Sequence, residues 1–271
     1  MRSISRSTSL TIVIIMAASL AVTVMPSSSG AVETRFSVFC DFSHSTRQDP
    51  IVAPGHHRRS DHEHVFFGNR STRSHSTYRS MRHAGSTCRL SGDTAGYWVP
   101  ALVDLDGNLV KPHGTFAYYR SVGALADVNI RAFPKDFRMI SDDFHFHCGD
   151  DRNESDVPLD CSNVAGGKRL RLSVIFPSCW DGRRLDSKDH MRHVAFATGK
   201  GCPDRHPVEL PRLAIIAQFE VQDAEGFRLS SGSPDTAHGD FWNTWHQKTL
   251  RDLVQRCLGR GVNELCGQIR S

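Results

Sequence analysis

Eight cysteines, at 40, 88, 148, 161, 179, 202, 257 and 266, constrain this 271-residue chain most, because all follow a leader with the features of an export signal. Arg2 and Arg6 precede an apolar run from Leu10 to Val24, and Ser29 and Ala31 are spaced as in a small-x-small cleavage site. The run is shorter than the ~20 residues a spanning helix needs, and no later segment approaches that length. Residues 1–31 are therefore expected to be a secretory signal peptide, and residues 32–271 a secreted, extracellular single domain with no stable membrane insertion after cleavage. In an oxidising compartment an even cysteine count favours four disulfides. Sequence separation suggests short closures between Cys148 and Cys161, Cys179 and Cys202, and Cys257 and Cys266, and no pair has the C-x-x-C spacing of a thiolate metal site.

Between the cysteines the chain is a succession of short apolar or alternating runs bounded by Gly, Pro, Asp or Asn. They lie at Arg35 to Phe39, Glu63 to Phe67, Gly96 to Val103, Thr115 to Tyr119, Asn129 to Ala132, Phe137 to Ile140, Asp143 to Cys148, Leu170 to Phe176, His193 to Ala197 and Leu213 to Val221. This pattern predicts a mainly β, disulfide-stapled sandwich or barrel-like single domain with long loops. One segment differs: Trp242, Trp245, Thr249, Leu250, Leu253, Val254, Cys257 and Leu258 recur at helical spacing, predicting an amphipathic C-terminal helix with Asp240 as N-cap and Gly259 as its stop.

Net charge is too small to argue for nucleic acid. Removing residues 1–31 takes away two arginines and no acid, so 33 basic residues become 31 against 29 acidic ones and the net charge falls from +4 to +2. Arg58, Arg59, Arg70, Arg73, Arg79, Arg82 and Arg89 cluster in sequence, which could meet an acidic polymer, although a solvated basic face explains them better, and no nucleic acid is expected as partner. The sequons Asn69-Arg70-Ser71 and Asn153-Glu154-Ser155 mark expected surface loops.

Chemistry concentrates in three segments. Phe176 to His193 carries Asp181, Asp186, Asp189, His190 and His193 around a Cys179-Trp180 pair; Asp61 to His64 reads D-H-E-H; His238 to Trp242 reads H-G-D-F-W. In a strand His62 and His64 share a face, an arrangement suited to a divalent metal. A second H-x-H, at His145 and His147, has the same spacing, with Phe144 and Phe146 facing the opposite side. His190 and His193 lie three apart and align only if that stretch is helical; in an extended loop they diverge. Asp240 has two readings, helix cap or catalytic acid.

The motifs D-P-I-V-A-P-G at Asp49, H-E-H at His62, G-Y-W-V-P-A-L at Gly96, Y-Y-R at Tyr118, F-P-K-D-F-R-M-I at Phe133, C-P-D-R-H-P-V at Cys202 and H-G-D-F-W-N-T-W at His238 occur in order with the Phe176 segment. With them the chain resembles a secreted microbial family catalogued as a domain of unknown function, DUF1996, across nearly all of residues 32–271. The resemblance implies a common site and leaves the reaction open.

The candidate catalytic residues are His64, Arg138, Asp186, Asp189, His190, His193, His238 and Asp240, with His62, His64, His190 and His193 as candidate ligands of a divalent metal. The leading expectation is action on cell-wall or extracellular polysaccharide, by hydrolysis with two of the carboxyl groups or by β-elimination with a histidine base and Arg138 or a cation facing a uronate. Tyr97, Trp98, Tyr118, Tyr119, Trp180 and Trp242 are candidate sugar-stacking surfaces or core residues. A non-catalytic glycan- or metal-binding module is the alternative, and a metal-dependent phosphodiesterase a weaker one.

Overall fold

β1 (Arg35–Thr46) is long enough to serve two halves of one sheet. Its first half, Arg35 to Asp41, pairs with β5 (Pro112–Arg120), and from Phe42 onward it pairs with β2 (His64–Gly68), with a register shift between Phe42 and His44. A bulge at this point bends the strand, so the two halves face one another across a core. This computed structural model describes residues 34–55, 59–121, 130–151, 153–164, 169–258 and 266. The expected signal peptide at 1–31 lies outside the described residues.

The sheet continues from β2 through β3 (Gly96–Pro100) and β14 (Gly239–Trp242) to β6 (Arg138–Ser141), and from β5 through β12 (Arg212–Phe219) and β8 (Leu170–Ile175) to β7 (Asp143–Cys148). All eight pairings are antiparallel. The two edge strands, β6 and β7, are separated in sequence by Asp142 alone, and the Ser141 hydroxyl donates to the Ile175 carbonyl on β8. The chain thus steps from one edge to the other, and the nine strands form a nearly closed, barrel-like sheet. Gly239 lets the walls approach, since a Cβ there would lie 3.0 Å from both Val174 and Ile215.

Alternation explains the interior. Val65, Phe67, Tyr97, Val99, Met139 and Phe241 point inward to join Phe36, Val38, Ala117, Leu172, Val174 and Ile215. Their neighbours on β2, β3 and β14 point outward, where Phe66, Trp98 and Trp242 meet Ile51 and Met81 in a second, smaller core. Met81 comes from the short helix α1 (Tyr78–Arg82), capped by Thr77 and Ser80. Loops rather than a second sheet therefore cover this outer face, and the site forms beneath them.

Four disulfides staple the fold: Cys148–Cys161, Cys179–Cys202 and Cys257–Cys266 as spacing suggests, and Cys40–Cys88. The last ties β1 to the loop that precedes β3. A three-stranded sheet of β10 (Val194–Ala195), β9 (Cys179–Trp180) and β11 (Val208–Glu209) carries the loop with the dense acidic and imidazole motif. β4 (Leu102–Val103) and β13 (Arg228–Leu229) form a small ribbon.

Three expectations are corrected. The C-terminal helix α2 spans Gln247–Cys257 with His246 at its N-cap, burying Leu250, Leu253, Val254 and Cys257, whereas Asp240 and Trp242 lie in β14. Pairing with β3 on one side and β6 on the other supplies every backbone partner that a helical turn would, and burial of Phe241 and Trp242 on opposite faces favours the strand. Gly259 lies outside the described residues. Ile130–Ala132 is irregular rather than a strand, with the Arg131 N–H donating to the Glu209 carbonyl; Asn129 is outside the described residues. Asn69 is also not a surface sequon, being fully buried with its amide donating to the carbonyls of Met81 and Thr94. Asn153 is exposed.

Candidate metal centre

The outward row of β2, β3 and β14 places the first set of groups. His64 pairs with Pro100, Phe66 with Trp98, and Trp98 with Asp240. Two residues beyond the Trp98–Asp240 pair, His238 comes opposite Pro100 from the side away from His64. A proline between them leaves room for both rings, and their Nε2 atoms lie 3.2 Å apart. His62, in the turn before β2, completes a triangle with Nε2 separations of 3.0 Å to His64 and 3.3 Å to His238. Three ring nitrogens thus face one point.

Carboxylates lie beneath. Asp240 is 1% exposed, neither of its oxygens has a hydrogen-bond partner, and Oδ2 lies 4.0 Å from His64 Nε2 and 3.8 Å from His238 Nε2. Asp49 Oδ2 lies 3.7 Å from His64 Nδ1. Asp49 is held rigidly: Oδ1 accepts from the Ile51 and Val52 N–H groups and Oδ2 from Trp98 Nε1. The His238 Nδ1–H donates to the Thr236 carbonyl at 2.9 Å, which leaves a lone pair on Nε2 in the neutral ring.

Burial pushes His62 down to about 4, and drives His64 well below and His238 below the ordinary histidine value, so all three are neutral at pH 7. Burial likewise lifts the Asp49 and Asp240 carboxyls, Asp240 far above its usual range. Asp49, His64 and Asp240 form a second overlapping set of potential ligands; Cys40, Cys88 and Asp93 also approach, but both sulfurs are consumed in the disulfide. Buried His and Asp groups here could hold a metal ion. Neutral imidazoles are its ligating form, and ligand nitrogens about 2.0–2.1 Å from a tetrahedral zinc lie roughly 3.3 Å from one another. The observed triangle has that size.

The dense motif from Phe176 to His193 resolves into distinct parts. It is a loop, and Leu185 and His190 accept through their carbonyls from the N–H groups of Arg138 and Ile140, covering the free edge of β6. Since Ile140 pairs with Asp240, His190 stands two strand spacings, roughly 10 Å, from the buried carboxylate. Its Nδ1 lies 2.8 Å from Asp186 Oδ1, and that bond raises its pKa above the ordinary value. Non-glycine backbone at φ 59° holds it there. Arg138 lies 4.1 Å over the Trp242 ring, donates to Asp136, and reaches Asp186 at 4.0 Å.

His193 and Asp189 take structural positions instead. His193 is fully buried against Phe137, its Nε2–H donating to the Arg138 carbonyl and Nδ1 lying 3.0 Å from the Ser187 hydroxyl. No ring nitrogen remains for a ligand. Asp189 accepts from Ser187, from the Met191 and Arg192 N–H groups and from the Arg192 side chain, and the Arg192 N–H bond heads the causes that hold its carboxyl well below the usual range. Of the candidate ligands His62, His64, His190 and His193, the structure brings together the first two, and His238 stands where His190 and His193 do not reach. Asp49 is a site residue that spacing does not single out, since its sequence signal is only an Asp-Pro turn start. Among the candidate stacking aromatics, Tyr97, Trp98, Tyr119 and Trp242 are core residues, and Trp180 packs edge-on against Phe137 while donating to the Arg184 carbonyl.

Among the described residues no helix is long and apolar enough to cross a membrane. No curated protein and no solved structure matches the chain. One family does, over residues 49–245, a span that opens on Asp49 and encloses His62, His64, Asp186, His190, His238 and Asp240. The segment that builds the cluster is thus the segment the family shares, and this chain belongs to the family described as Domain of unknown function (DUF1996).

Proposed function

We propose that His62, His64 and His238 bind a divalent metal ion and that the protein acts on an acidic extracellular polysaccharide by metal-assisted β-elimination. The observation that carries this reading is the triangle of Nε2 atoms, 3.0 to 3.3 Å on a side, beside a buried carboxylate with no partner. Three neutral imidazoles cannot satisfy one another at these distances, because at most some of the edges hold a proton and the remaining lone pairs repel. A cation turns that repulsion into coordination and gives Asp240 a counter-charge.

In β-elimination from a uronate, a base takes the proton beside the carboxylate, the enolate charge builds on the carboxylate, and the oxygen on the neighbouring carbon departs with a proton from solvent as a double bond forms. A bound cation takes up the developing charge. His190 supports the role of base: Asp186 orients it through Nδ1, its side chain is 20% exposed, and a proton on Nδ1 leaves a lone pair on Nε2 in the neutral ring. Two-carboxylate hydrolysis finds less support, since Asp240 is buried and Asp189 is committed to its turn, leaving Asp186 alone.

A second reading is favoured by the approach of Asp240 to two of the ring nitrogens. A fourth protein ligand closes the coordination shell, which suits a structural site in a non-catalytic binding module. Elemental analysis after metal reconstitution, followed by an acidic-polysaccharide panel read by ultraviolet absorbance of unsaturated ends, separates the two. One metal per chain with product lost in His190→Ala supports elimination. One metal without product on any acidic polysaccharide leaves the binding module, and no stoichiometric metal refutes both.

A further inference from the structure

The loop that carries His190 also forms part of a cleft of about 820 Å³, lined by Asp181, Arg183, Arg184, Arg192, Asp204, Arg205 and His206. We infer that this cleft binds the anionic groups, carboxylate or sulfate, of a sugar chain. The inference rests on the polysaccharide reading for the kind of polymer, while the anionic chemistry rests on the cleft itself.

Four guanidinium groups converge on one concavity, against the carboxylates of Asp181 and Asp204. Of these, Asp181 is already spent: its Oδ1 accepts from the Arg183 and Arg184 N–H groups and its Oδ2 from Arg184 Nε at 2.6 Å. Arg192 is paired with Asp189, but Arg183 and Arg205 have no acidic partner among the described residues. Both side chains are exposed, one on each wall. Guanidinium groups present paired donors that match the two oxygens of a carboxylate or sulfate.

The walls are fixed relative to one another, which a merely solvated basic surface does not require. Cys179–Cys202 ties the strand before one wall to the chain entering the other. β9 pairs with both β10 and β11, so segments on either side of the cleft share one small sheet. His206 Nε2–H donates across the gap to the Arg192 carbonyl, to which Arg184 Nη2 also donates. Positive charge is thereby held in a rigid groove, and such preorganisation strengthens binding by lowering the ordering cost.

The test is binding by calorimetry at low and high salt, using oligogalacturonate, its carboxyl-reduced neutral form, a sulfated oligosaccharide and a single-stranded DNA of equal charge. The proteins are the full chain, Arg183→Ser/Arg205→Ser, and metal-stripped full chain. The expected result is salt-sensitive binding of one or both anionic oligosaccharides, the tighter arm identifying the group, weakened roughly tenfold or more by the double substitution and retained without metal. Equal binding of the neutral oligosaccharide, tighter binding of the DNA, or wild-type affinity in the double variant overturns it. Binding that persists where no unsaturated product forms refutes the elimination reading and leaves the groove standing; product formed with groove-independent binding does the reverse.

Discussion

Two H-x-H motifs with identical spacing end in different surroundings, and the contrast shows what makes a cluster out of a pair. His62 and His64 meet His238, the residue before β14, which lies two places from β2 in the sheet order, above Asp49 and Asp240. His145 and His147 lie on β7, the opposite edge strand, with ring centroids 5.5 Å apart; His147 Nε2 lies 2.8 Å from the Ser173 hydroxyl and His145 Nε2 3.5 Å from Glu154. The first pair has neighbours on both sides of its sheet row, and the second has a sheet edge. What differs is the strand beside each pair: β3 presents Pro100, past which His238 comes in from the start of β14, whereas β8 presents Ser173, whose hydroxyl occupies His147 Nε2.

The largest test of that contrast is metal affinity. His238→Ala and His64→Ala are each expected to weaken binding by about two orders of magnitude or more, while His145→Ala and His147→Ala retain one metal per chain after dialysis. Loss of metal in His147→Ala would remove the distinction between the motifs. A smaller effect is expected from the carboxylate behind the ligands: Asp49→Asn should lower affinity roughly 10- to 100-fold in competition with a chromogenic chelator, and Glu154→Gln should change nothing.

The smallest effect concerns acid stability. Burial, followed by the charges of His145 and Arg171, lowers His147 to about 4 in the fold. Since its unfolded value is near 6.5, the unfolded chain takes up the proton first as pH falls. Stability from this group is therefore present above about pH 6.5 and declines as pH falls through about 4. His147→Gln, which keeps a group able to meet Ser173, should flatten denaturant midpoints between those values; an unchanged acid slope would show that the ring is not held neutral.

The strands were legible because alternation and turn residues speak locally, as at Asp143 to Cys148, where Phe146 turns into the core as the period of two requires. The chain from Asp240 to Trp242 misleads because its apolar spacing fits a helix equally well, and pairing with β3 and β6 is a non-local fact. In the site, His62 and His64 follow from spacing alone. His190 and His193 part because their loop is neither strand nor helix, and one ring turns to Asp186 while the other is buried against Phe137.

By itself the sequence determined a mainly β chain, the imidazole pair at 62 and 64, and the family to which these motifs belong, and its spacing pointed to three of the four disulfides without settling the pairing. Tertiary structure alone decided that His238 completes the triangle, that Asp240 is a buried strand residue with unpartnered oxygens, and that Asp49 stands behind His64. The reason is physical: alternation sets which face a side chain takes, whereas cross-strand register and the loops laid over that face set what it meets.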